Sequence, residues 1–405
     1  MLRCFGARIR SALSPDNAVM LMNAINIEDL RTQARKRLPR VIFEFIDGGS
    51  QDEISVRANR EDFQSLRFMP RVLTDVSVRD QSVEILGTKA ASPLVLAPTG
   101  LAGILSRKGE LSASRAAHLA GVPYCLSTMG TCSIEEIAAA TPVQKWFQLY
   151  VLRDRGLTRE FIARARASGC TALVLTADTK VQGPRERDMR NGFTVPPKFS
   201  PATLLDFARH FRWMLDVAMG PKIRFANFDG TAAQATDAVT ITQFIAGQYD
   251  LTVNWKDAEW FKKEWGGPVL IKGILSPQDA KIAASIGMDG VIVSNHGGRQ
   301  LDGAISAIAA LEAVADAVRD KMTVVLDGGV RRGSDVVKAL ALGAHACMIG
   351  RAWLYGLAAD GERGVARALA ILRDEIDITL TLLGCARIAD LDRSVLVDLA
   401  PRHTK

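Results

Sequence analysis

Eight short apolar segments recur between residues 94 and 351, and segments with the spacing of amphipathic helices separate them. The apolar segments are rich in aliphatic and β-branched residues, which is typical of strands that are buried on both faces. In chain order they read LVLAPTG, YCLST, KWFQLY, ALVLTAD, VLIKG, GVIVSN, TVVLDGG and ACMIGR. Eight strand–helix units in series predict an α/β fold with one closed (β/α)8 barrel, the TIM barrel.

A doubly wound open sheet is the alternative α/β fold, and it is disfavoured because no GxGxxG motif follows the first strand segment. Two regions depart from the barrel repeat. One is an N-terminal segment with helical patterns over residues 27–93, and the other is a long insertion after the fourth strand, residues 183–255. We therefore predict a barrel domain over residues 27–400, preceded by an extension without fixed structure over residues 1–26.

The net charge of +7 is concentrated at the N-terminus, where residues 1–40 hold eight Lys and Arg against three Asp and Glu. The rest of the chain is close to neutral, which argues against nucleic acid as a partner. The first residues have the composition of a transit peptide, although an unstructured extension or an early start codon is the preferred interpretation. The six cysteines form no CxxC pair and no metal-ligand spacing, so we expect reduced thiols, a cytoplasmic protein and no metal.

The insertion contains the segment LLDFARHFRWMLDVAMG, in which apolar residues at helical spacing are interspersed with Arg209, His210 and Arg212. A helix packed on the barrel has such a pattern, and so does an amphipathic helix that lies in a membrane interface. No apolar run approaches the ~20 residues of a spanning helix. The sequence therefore leaves a peripheral contact with the inner membrane open.

Every predicted strand ends in polar residues or glycine, and the carboxyl ends of barrel strands meet at one mouth. From the first strand to the eighth, these residues are Pro98, Thr99, Gly100, Ser127, Gln148, Tyr150, Thr176, Asp178, Lys272, Ser294, His296, Arg299, Asp327, Gly328, Gly329, Val330, Arg331, Gly350 and Arg351. So regular a series predicts an active site at this mouth.

The last two strand ends, DGGVRRG and IGR, place glycine beside arginine. Glycine lets main-chain amides approach an anion and a guanidinium neutralises it. Loops after the seventh and eighth strands of a barrel commonly bind phosphate, so these two predict a phosphate site. Tyr150, Arg185 and Arg299 instead suit a small carboxylate.

His296 is the candidate general base, because a glycine pair and Arg299 follow it at the end of a buried strand. Asp178, at the end of another strand, is expected to pair with His296 and to raise its pKa above the usual value of about 6.5. Lys272 suits an electron-poor ring that becomes anionic on reduction. A Schiff base on Lys272, as in an aldolase or a pyridoxal enzyme, is the competing role.

The motifs SNHGGRQLDG, DGGVRRGSDVVKALALGA, WFQLYVLRDR, APTG and GPRERDMRN closely resemble those of the FMN-dependent L-2-hydroxy acid dehydrogenases and oxidases. This family includes glycolate oxidase, L-lactate dehydrogenase and (S)-mandelate dehydrogenase. The resemblance extends from Ile27 to about residue 390. It implies oxidation of a lactate- or mandelate-like L-2-hydroxy acid to the 2-oxo acid, with FMN passing the electrons to a quinone, a cytochrome or oxygen. It also implies a homo-oligomer, commonly a tetramer.

The same resemblance implies roles for individual residues. The flavin ring and ribityl chain would be held by Pro98, Thr99, Gly100, Ser127, Gln148, Thr176, Lys272 and Ser294. The ribityl tail and phosphate would be held by Asp327, Gly328, Gly329, Val330, Arg331, Gly350 and Arg351. Arg185 and Arg299 would hold the substrate carboxylate, with Tyr150 near its oxygens. His296 would take a proton from the substrate, and Asp178 would stabilise the resulting imidazolium.

Phe45 departs from the family pattern, in which a tyrosine usually occupies this substrate-binding position and its hydroxyl contacts the carboxylate. Loss of one hydrogen bond to a charged group costs roughly 1.5–3 kcal/mol. Met129 and Gly130, in the loop after the second strand, also lack a bulky aromatic ring. We therefore expect a preference for acids with a side chain larger than methyl, including aromatic ones.

Two other functions stay open at the level of the sequence. Phe45 and the insertion helix are compatible with a catalytically idle flavin-binding or membrane-bound protein. An FMN barrel isomerase would keep the flavin without net oxidation, but His296 together with two carboxylate-binding arginines argues against it.

Overall fold

The computed structural model describes residues 24–193, 198–230, 247–319 and 321–398 of the chain. At its centre, eight parallel strands form a closed barrel in which neighbours in sequence are neighbours in space and the last strand pairs with the first. The strands are β4 (Leu94–Leu96), β5 (Tyr124–Ser127), β6 (Lys145–Tyr150), β7 (Ala172–Thr176), β8 (Val269–Ile274), β9 (Gly290–Ser294), β10 (Thr323–Asp327) and β11 (Ala346–Ile349). Seven lie within the predicted segments and β8 extends one residue beyond its segment, so the predicted TIM barrel is confirmed.

Parts of three predicted regions lie outside the described residues. They are residues 1–23 of the predicted extension, residues 194–197 and 231–246 of the predicted insertion, and residues 399–400 at the end of the predicted barrel domain.

The barrel interior is filled by side chains, one or more from every strand. Fully or almost fully buried examples from β4 to β11 are Val95, Cys125, Trp146, Val174, Leu270, Ile292, Val325 and Met348. The outer faces of the same strands pack against the surrounding helices in a second apolar cluster. Burial on both faces explains why these segments are continuously apolar rather than alternating.

Each barrel strand is followed by one helix of the repeat, apart from the additional helices of the insertion after β7. In order these are α4 (Gly109–Ala120), α5 (Ile134–Ala140), α6 (Arg155–Ala167), α10 (Trp255–Trp265), α11 (Pro277–Ser285), α12 (Ala307–Val318), α13 (Gly333–Ala341) and α14 (Arg351–Leu383). Two small antiparallel pairs lie outside the barrel: β1 (Leu66–Phe68) with β12 (Leu396–Asp398), and β2 (Val83–Ile85) with β3 (Thr88–Ala90).

Three helices precede the barrel: α1 (Ile27–Arg37), α2 (Arg40–Asp47) and α3 (Ile54–Ser65). A capping box between Asn26 and Asp29 starts α1, and Pro39 lies between α1 and α2, where it cannot extend a helix. The C-terminal end of α2 reaches the barrel mouth, because its carbonyl oxygens accept hydrogen bonds from arginines of the β9 and β11 loops. The N-terminal segment therefore forms part of the mouth.

The insertion after β7 contributes α7 (Glu186–Arg190), α8 (Pro201–Arg209) and α9 (Phe211–Ala218). The sequence pattern over LLDFARHFRWMLDVAMG reads as one helix, but the structure divides it at His210, whose φ of −99° and ψ of 41° are not helical. Trp213 anchors α9, because its indole N–H donates to Ile104 O at 2.8 Å. Among the described helices, none combines the length and apolar character needed to cross a membrane.

Candidate active site at the barrel mouth

A row of buried polar side chains crosses the carboxyl ends of β5, β6 and β7. The Ser127 hydroxyl donates to Gln148 Oε1 at 3.0 Å, and Gln148 Nε2 donates to the Thr176 hydroxyl at 2.9 Å. The strand register sets Ser127 beside Gln148. Because buried polar groups are costly unless they are hydrogen-bonded, these mutual bonds fix the row in place.

A buried ion pair continues the row across β8, β9 and β10. Lys272 Nζ lies 2.6 Å from Asp327 Oδ2 and donates to the Ser294 hydroxyl at 2.8 Å. Ser294 in turn donates to Asp327. Burial disfavours the ammonium, but the charges of Asp327 and Asp178 outweigh it and raise the Lys272 pKa. A lysine held in its charged form cannot attack a carbonyl, so the Schiff-base alternative is disfavoured.

His296 occupies a strained turn immediately after β9. Its φ of 60° lies in the left-handed region, and Gly297 and Gly298 follow with φ of 65° and 74°. Asn295 holds the turn, because its side chain accepts from the Gly298 N–H at 3.0 Å and exchanges two hydrogen bonds with Asn59 of α3. The glycine pair of the SNHGGRQ motif therefore serves the conformation that presents His296 to the mouth.

The His296 ring faces Asp178, with 3.0 Å between Nδ1 and Oδ1. Burial lowers the His296 pKa, and the carboxylate offsets only part of this effect because Lys272 and Arg185 also disfavour the imidazolium. The expectation that Asp178 raises the His296 pKa above its usual value is wrong, since burial outweighs the ion pair. A lowered pKa keeps the imidazole neutral, which is the state that a base needs.

Arg185 lies close enough to Arg299 and to His296 for its charge to lower the pKa of both. Arg299 Nη1 donates to Phe45 O at 2.7 Å and to Gly48 O at 3.1 Å, which fixes its guanidinium at the end of α2. Arg185 Nε is buried without a hydrogen-bond partner among the described residues. Burial and the charges of Arg185 and Arg351 lower the Arg299 pKa. An anion bound between these cations would relieve the repulsion and use the open donor.

The structure adds two aromatic residues of the insertion to those found from sequence. The Tyr249 ring packs edge-on against Tyr150, with centroids 6.2 Å apart, and Phe193 packs against Phe45 at 4.8 Å. Burial raises the pKa of Tyr150, so its hydroxyl stays protonated as a donor. The sequence did not single out Tyr249 and Phe193, because isolated aromatics in an irregular segment carry no period or motif.

A buried carboxylate was also missed. Asp188 of α7 is 9% exposed, and burial raises its pKa to about 6 against the charges of Arg299 and Arg185. In the sequence it stands within the charged run GPRERD, which has the composition of a solvated turn. Its position three residues after Arg185 was the available signal, because residues three apart share one face of a helix.

The two arginines expected at the phosphate end differ in their hydrogen bonding. Arg351 donates through Nε, Nη1 and Nη2 to the carbonyl oxygens of Ile46, Gly297 and Gly48, at 3.0, 2.9 and 2.7 Å. Arg331 donates to the carbonyl of Val330, the buried residue beside it, and its buried Nε has no partner among the described residues. Arg331 is therefore the side chain with donors free for an anion.

Glycines shape the main chain beside Arg331. Gly328 and Gly329 have φ of 118° and 82°, and a Cβ at Gly329 would lie 1.8 Å from Asn59 O. A residue with a side chain does not fit at Gly329, so the main chain runs close to α3 in this turn. Gly350 directly precedes the first turn of α14, whose N-terminus has no side-chain cap.

The mouth fits FMN in charge and hydrogen-bonding capacity. Besides Arg331 Nε, the hydroxyl of Thr99 is buried without a partner among the described residues, in the Pro98–Gly100 loop after β4. The buried polar row suits the ring edge and the ribityl hydroxyls, Lys272 supplies a cation beside it, and Arg331 with the glycine turn suits the phosphate.

The comparisons with known proteins agree with this geometry. The family model described as FMN-dependent dehydrogenase matches residues 34–398. The L-lactate dehydrogenase of Caulobacter vibrioides is 45% identical over 375 residues, which cover 92% of this chain and 98% of the relative. The L-lactate dehydrogenase of Yersinia pestis is 42% identical over 369 residues, 91% of this chain and 97% of the relative.

Solved structures with the same fold point the same way. The monotopic membrane protein (S)-mandelate dehydrogenase superimposes with a TM-score of 0.89 at 43% identity, covering 93% of this chain and all of that one. A mandelate oxidase gives a TM-score of 0.77 at 37% identity, covering 92% of this chain and 98% of that one. The chain therefore belongs to the family of FMN-dependent 2-hydroxy acid dehydrogenases.

Proposed function

We propose that the barrel mouth oxidises an L-2-hydroxy acid whose side chain is larger than methyl, with His296 as the base. The observation that carries the proposal is the His296 ring, held by Asp178 at 3.0 Å, near the half-buried guanidiniums of Arg185 and Arg299, with Arg185 Nε lacking a hydrogen-bond partner among the described residues. FMN, when bound, accepts the two electrons that the substrate loses.

Each residue then has one task. Arg185 and Arg299 bind the substrate carboxylate, and Tyr150 donates to a substrate oxygen. His296 Nε2 takes up one proton of the substrate while its Nδ1–H donates to Asp178, which stabilises the imidazolium that forms. Lys272 remains charged through its pairing with Asp327 and offers a positive charge to the flavin ring.

Phe45 and its neighbours support the preference for larger acids. The Phe45 ring packs on Phe193 and lies under the Arg299 guanidinium, 5.3 Å from ring centre to Cζ, so the wall of the pocket is apolar where a tyrosine hydroxyl would stand. An aromatic substrate side chain gains more from such a wall than a methyl group does.

We also propose that the protein binds the surface of a membrane that contains anionic lipids. Six exposed apolar side chains of α8, α9 and the residue after α9 form what we term the apolar patch: Leu204, Leu205, Phe211, Met214, Leu215 and Met219. They are 44–67% exposed, and the exposed cations Arg209, Arg212 and Lys222 lie among or after them. Such a combination favours an anionic lipid surface. Relatives described as monotopic and membrane-associated support this proposal.

Replacing the base tests the chemistry directly. His296→Ala should keep its flavin but reduce it roughly 10²–10⁴-fold more slowly, the usual contribution of a general base. The measurement is anaerobic bleaching of the flavin absorbance by L- and D-forms of lactate, longer 2-hydroxy acids and mandelate. His118→Ala, at an exposed position of α4, is the control and should bleach like the wild type. Bleaching of the His296 variant at the wild-type rate would contradict the assignment.

Replacing the partner of the base should move the pH dependence. The base works only when neutral, so kcat/KM rises with pH through the His296 pKa, which lies below its usual value. Asp178→Asn removes a charge that raises this pKa, so the acidic limb of the profile should shift to lower pH. The maximal rate should fall as well, because the imidazolium loses its counter-ion. A limb that stays in place or moves to higher pH would show that Asp178 does not act on the base.

Restoring a hydroxyl at Phe45 tests substrate preference. Phe45→Tyr adds a hydrogen-bond donor near the carboxylate site. A hydrogen bond to a charged group is worth roughly 1.5–3 kcal/mol, so the KM for lactate should fall about tenfold or more. The KM for mandelate should fall less, because the hydroxyl makes part of the apolar wall polar. Steady-state kinetics with both acids measure the ratio. An unchanged KM for lactate would exclude Phe45 as a determinant of preference.

A charge within the apolar patch tests membrane binding. Leu215→Glu should lower binding to vesicles of anionic phospholipid by roughly tenfold or more, since burying a leucine contributes about 1.5–3 kcal/mol. Leu119→Glu adds the same charge at a side chain that is 76% exposed at the end of α4, and it should bind like the wild type. Co-sedimentation with vesicles is the measurement. Equal binding of both variants and the wild type would place the membrane contact elsewhere.

A further inference from the structure

Asp47, a buried carboxylate outside the proposed reaction, ends α2 beside the barrel mouth, with its side chain 9% exposed. Arg31 holds it through two hydrogen bonds, Nε to Oδ1 at 2.7 Å and Nη2 to Oδ2 at 2.9 Å, and the Tyr355 hydroxyl donates to Oδ1 at 2.7 Å. Burial opposes ionisation, but these bonds prevail and lower the Asp47 pKa to about 2. The Asp47 carboxylate therefore stays ionised and accepts hydrogen bonds on both oxygens, so it fixes the position of the Tyr355 hydroxyl.

Tyr355 lies in α14, four residues after Arg351, and is 1% exposed. Its ring stacks on Phe43 at 6.5 Å with 24° between the planes, so packing and the bond to Asp47 fix its orientation. The Arg331 guanidinium lies over this ring, 5.6 Å from Cζ to the ring centre. The side chain expected to bind phosphate is therefore supported by an aromatic face.

This support differs from that of Arg351 in one respect. Carbonyl oxygens position Arg351 and occupy all three of its side-chain nitrogens. An aromatic face attracts a guanidinium without using its in-plane N–H donors. Arg331 is accordingly held in place while its buried Nε keeps no partner among the described residues.

We propose that Tyr355, anchored by Asp47, is a positioning residue that presents the Arg331 guanidinium to the FMN phosphate and so lets the protein distinguish FMN from riboflavin. The proposal rests on the proposed flavin site but not on the reaction carried out there. A ring that holds Arg331 should contribute to binding only when the ligand carries a phosphate.

The test compares the affinities of the full-length protein, freed of flavin, for FMN and for riboflavin, followed by the change in flavin fluorescence. Tyr355→Leu should weaken FMN binding roughly tenfold, the scale of a desolvated cation–π contact, and should leave riboflavin binding within about twofold. Tyr355→Phe keeps the ring and should retain most of the selectivity. Tyr355→Met, which fills more of the space without a ring, replaces Tyr355→Leu should that variant not fold.

A double-mutant cycle separates positioning from general packing. In an Arg331→Met background, Tyr355→Leu should change FMN binding by less than about twofold, because the group that it positions is gone. Equal weakening of FMN and riboflavin by Tyr355→Leu, or an undiminished effect in the Arg331→Met background, would overturn the proposal. Bleaching of the wild-type flavin by a 2-hydroxy acid is measured separately, so failure of the proposed reaction is distinguishable from failure of this inference.

Discussion

Three cations at the barrel mouth, the buried Lys272 and the half-buried Arg299 and Arg351, govern much of the structure around them. A buried charge is costly unless it is paired and hydrogen-bonded. Lys272 is satisfied within the barrel by Asp327 and Ser294. The two arginines donate mostly to carbonyl oxygens outside it, those of α2 and of the residue after α2. Since the C-terminus of a helix is its electronegative end, α2 is suited to this task. The barrel and its N-terminal segment are thus joined by electrostatics as well as by apolar packing.

Some buried polar atoms at the mouth have no hydrogen-bond partner in the described part of the chain, and they indicate which ligands can bind there. Arg185 Nε, Arg331 Nε and Asp178 Oδ2 are buried polar atoms without partners among the described residues. The two arginine nitrogens are suited to bind anions, one beside His296 and one beside the glycine turn. In the proposed function, these two positions bind the carboxylate of a 2-hydroxy acid and the phosphate of FMN. Because buried polar groups are normally hydrogen-bonded, unpaired donors of this kind at the barrel mouth are positions where a ligand can bind.

The fold was predictable because its signal is repetitive: eight apolar segments, each buried on both faces, leave few alternatives once helices separate them. The mouth residues were predictable for a related reason, since strand ends converge wherever the barrel closes. Sequence reasoning did not give the net direction of the His296 pKa shift. The pairing with Asp178 could be expected from the two strand ends, whereas the burial that lowers the pKa depends on the folded structure. It also did not find Tyr249, Phe193 or Asp47, whose roles depend on contacts between distant segments. The break at His210 was hidden because the apolar spacing continues through it.

The hydrogen bond from Arg299 to Phe45 O spans 254 positions of the chain, and the one from Arg351 to Ile46 O spans 305. Closure of the barrel requires a comparable span, since β4 pairs with β11. During synthesis the N-terminal helices leave the ribosome first, yet Arg299 and Arg351, which donate to their carbonyl oxygens, appear only after most of the 405 residues have been made. Contacts of such separation form late and slowly. The segment that carries Phe45 therefore cannot make these contacts until most of the chain has been synthesised, and the proposed substrate pocket can be complete only after the last barrel strand has emerged.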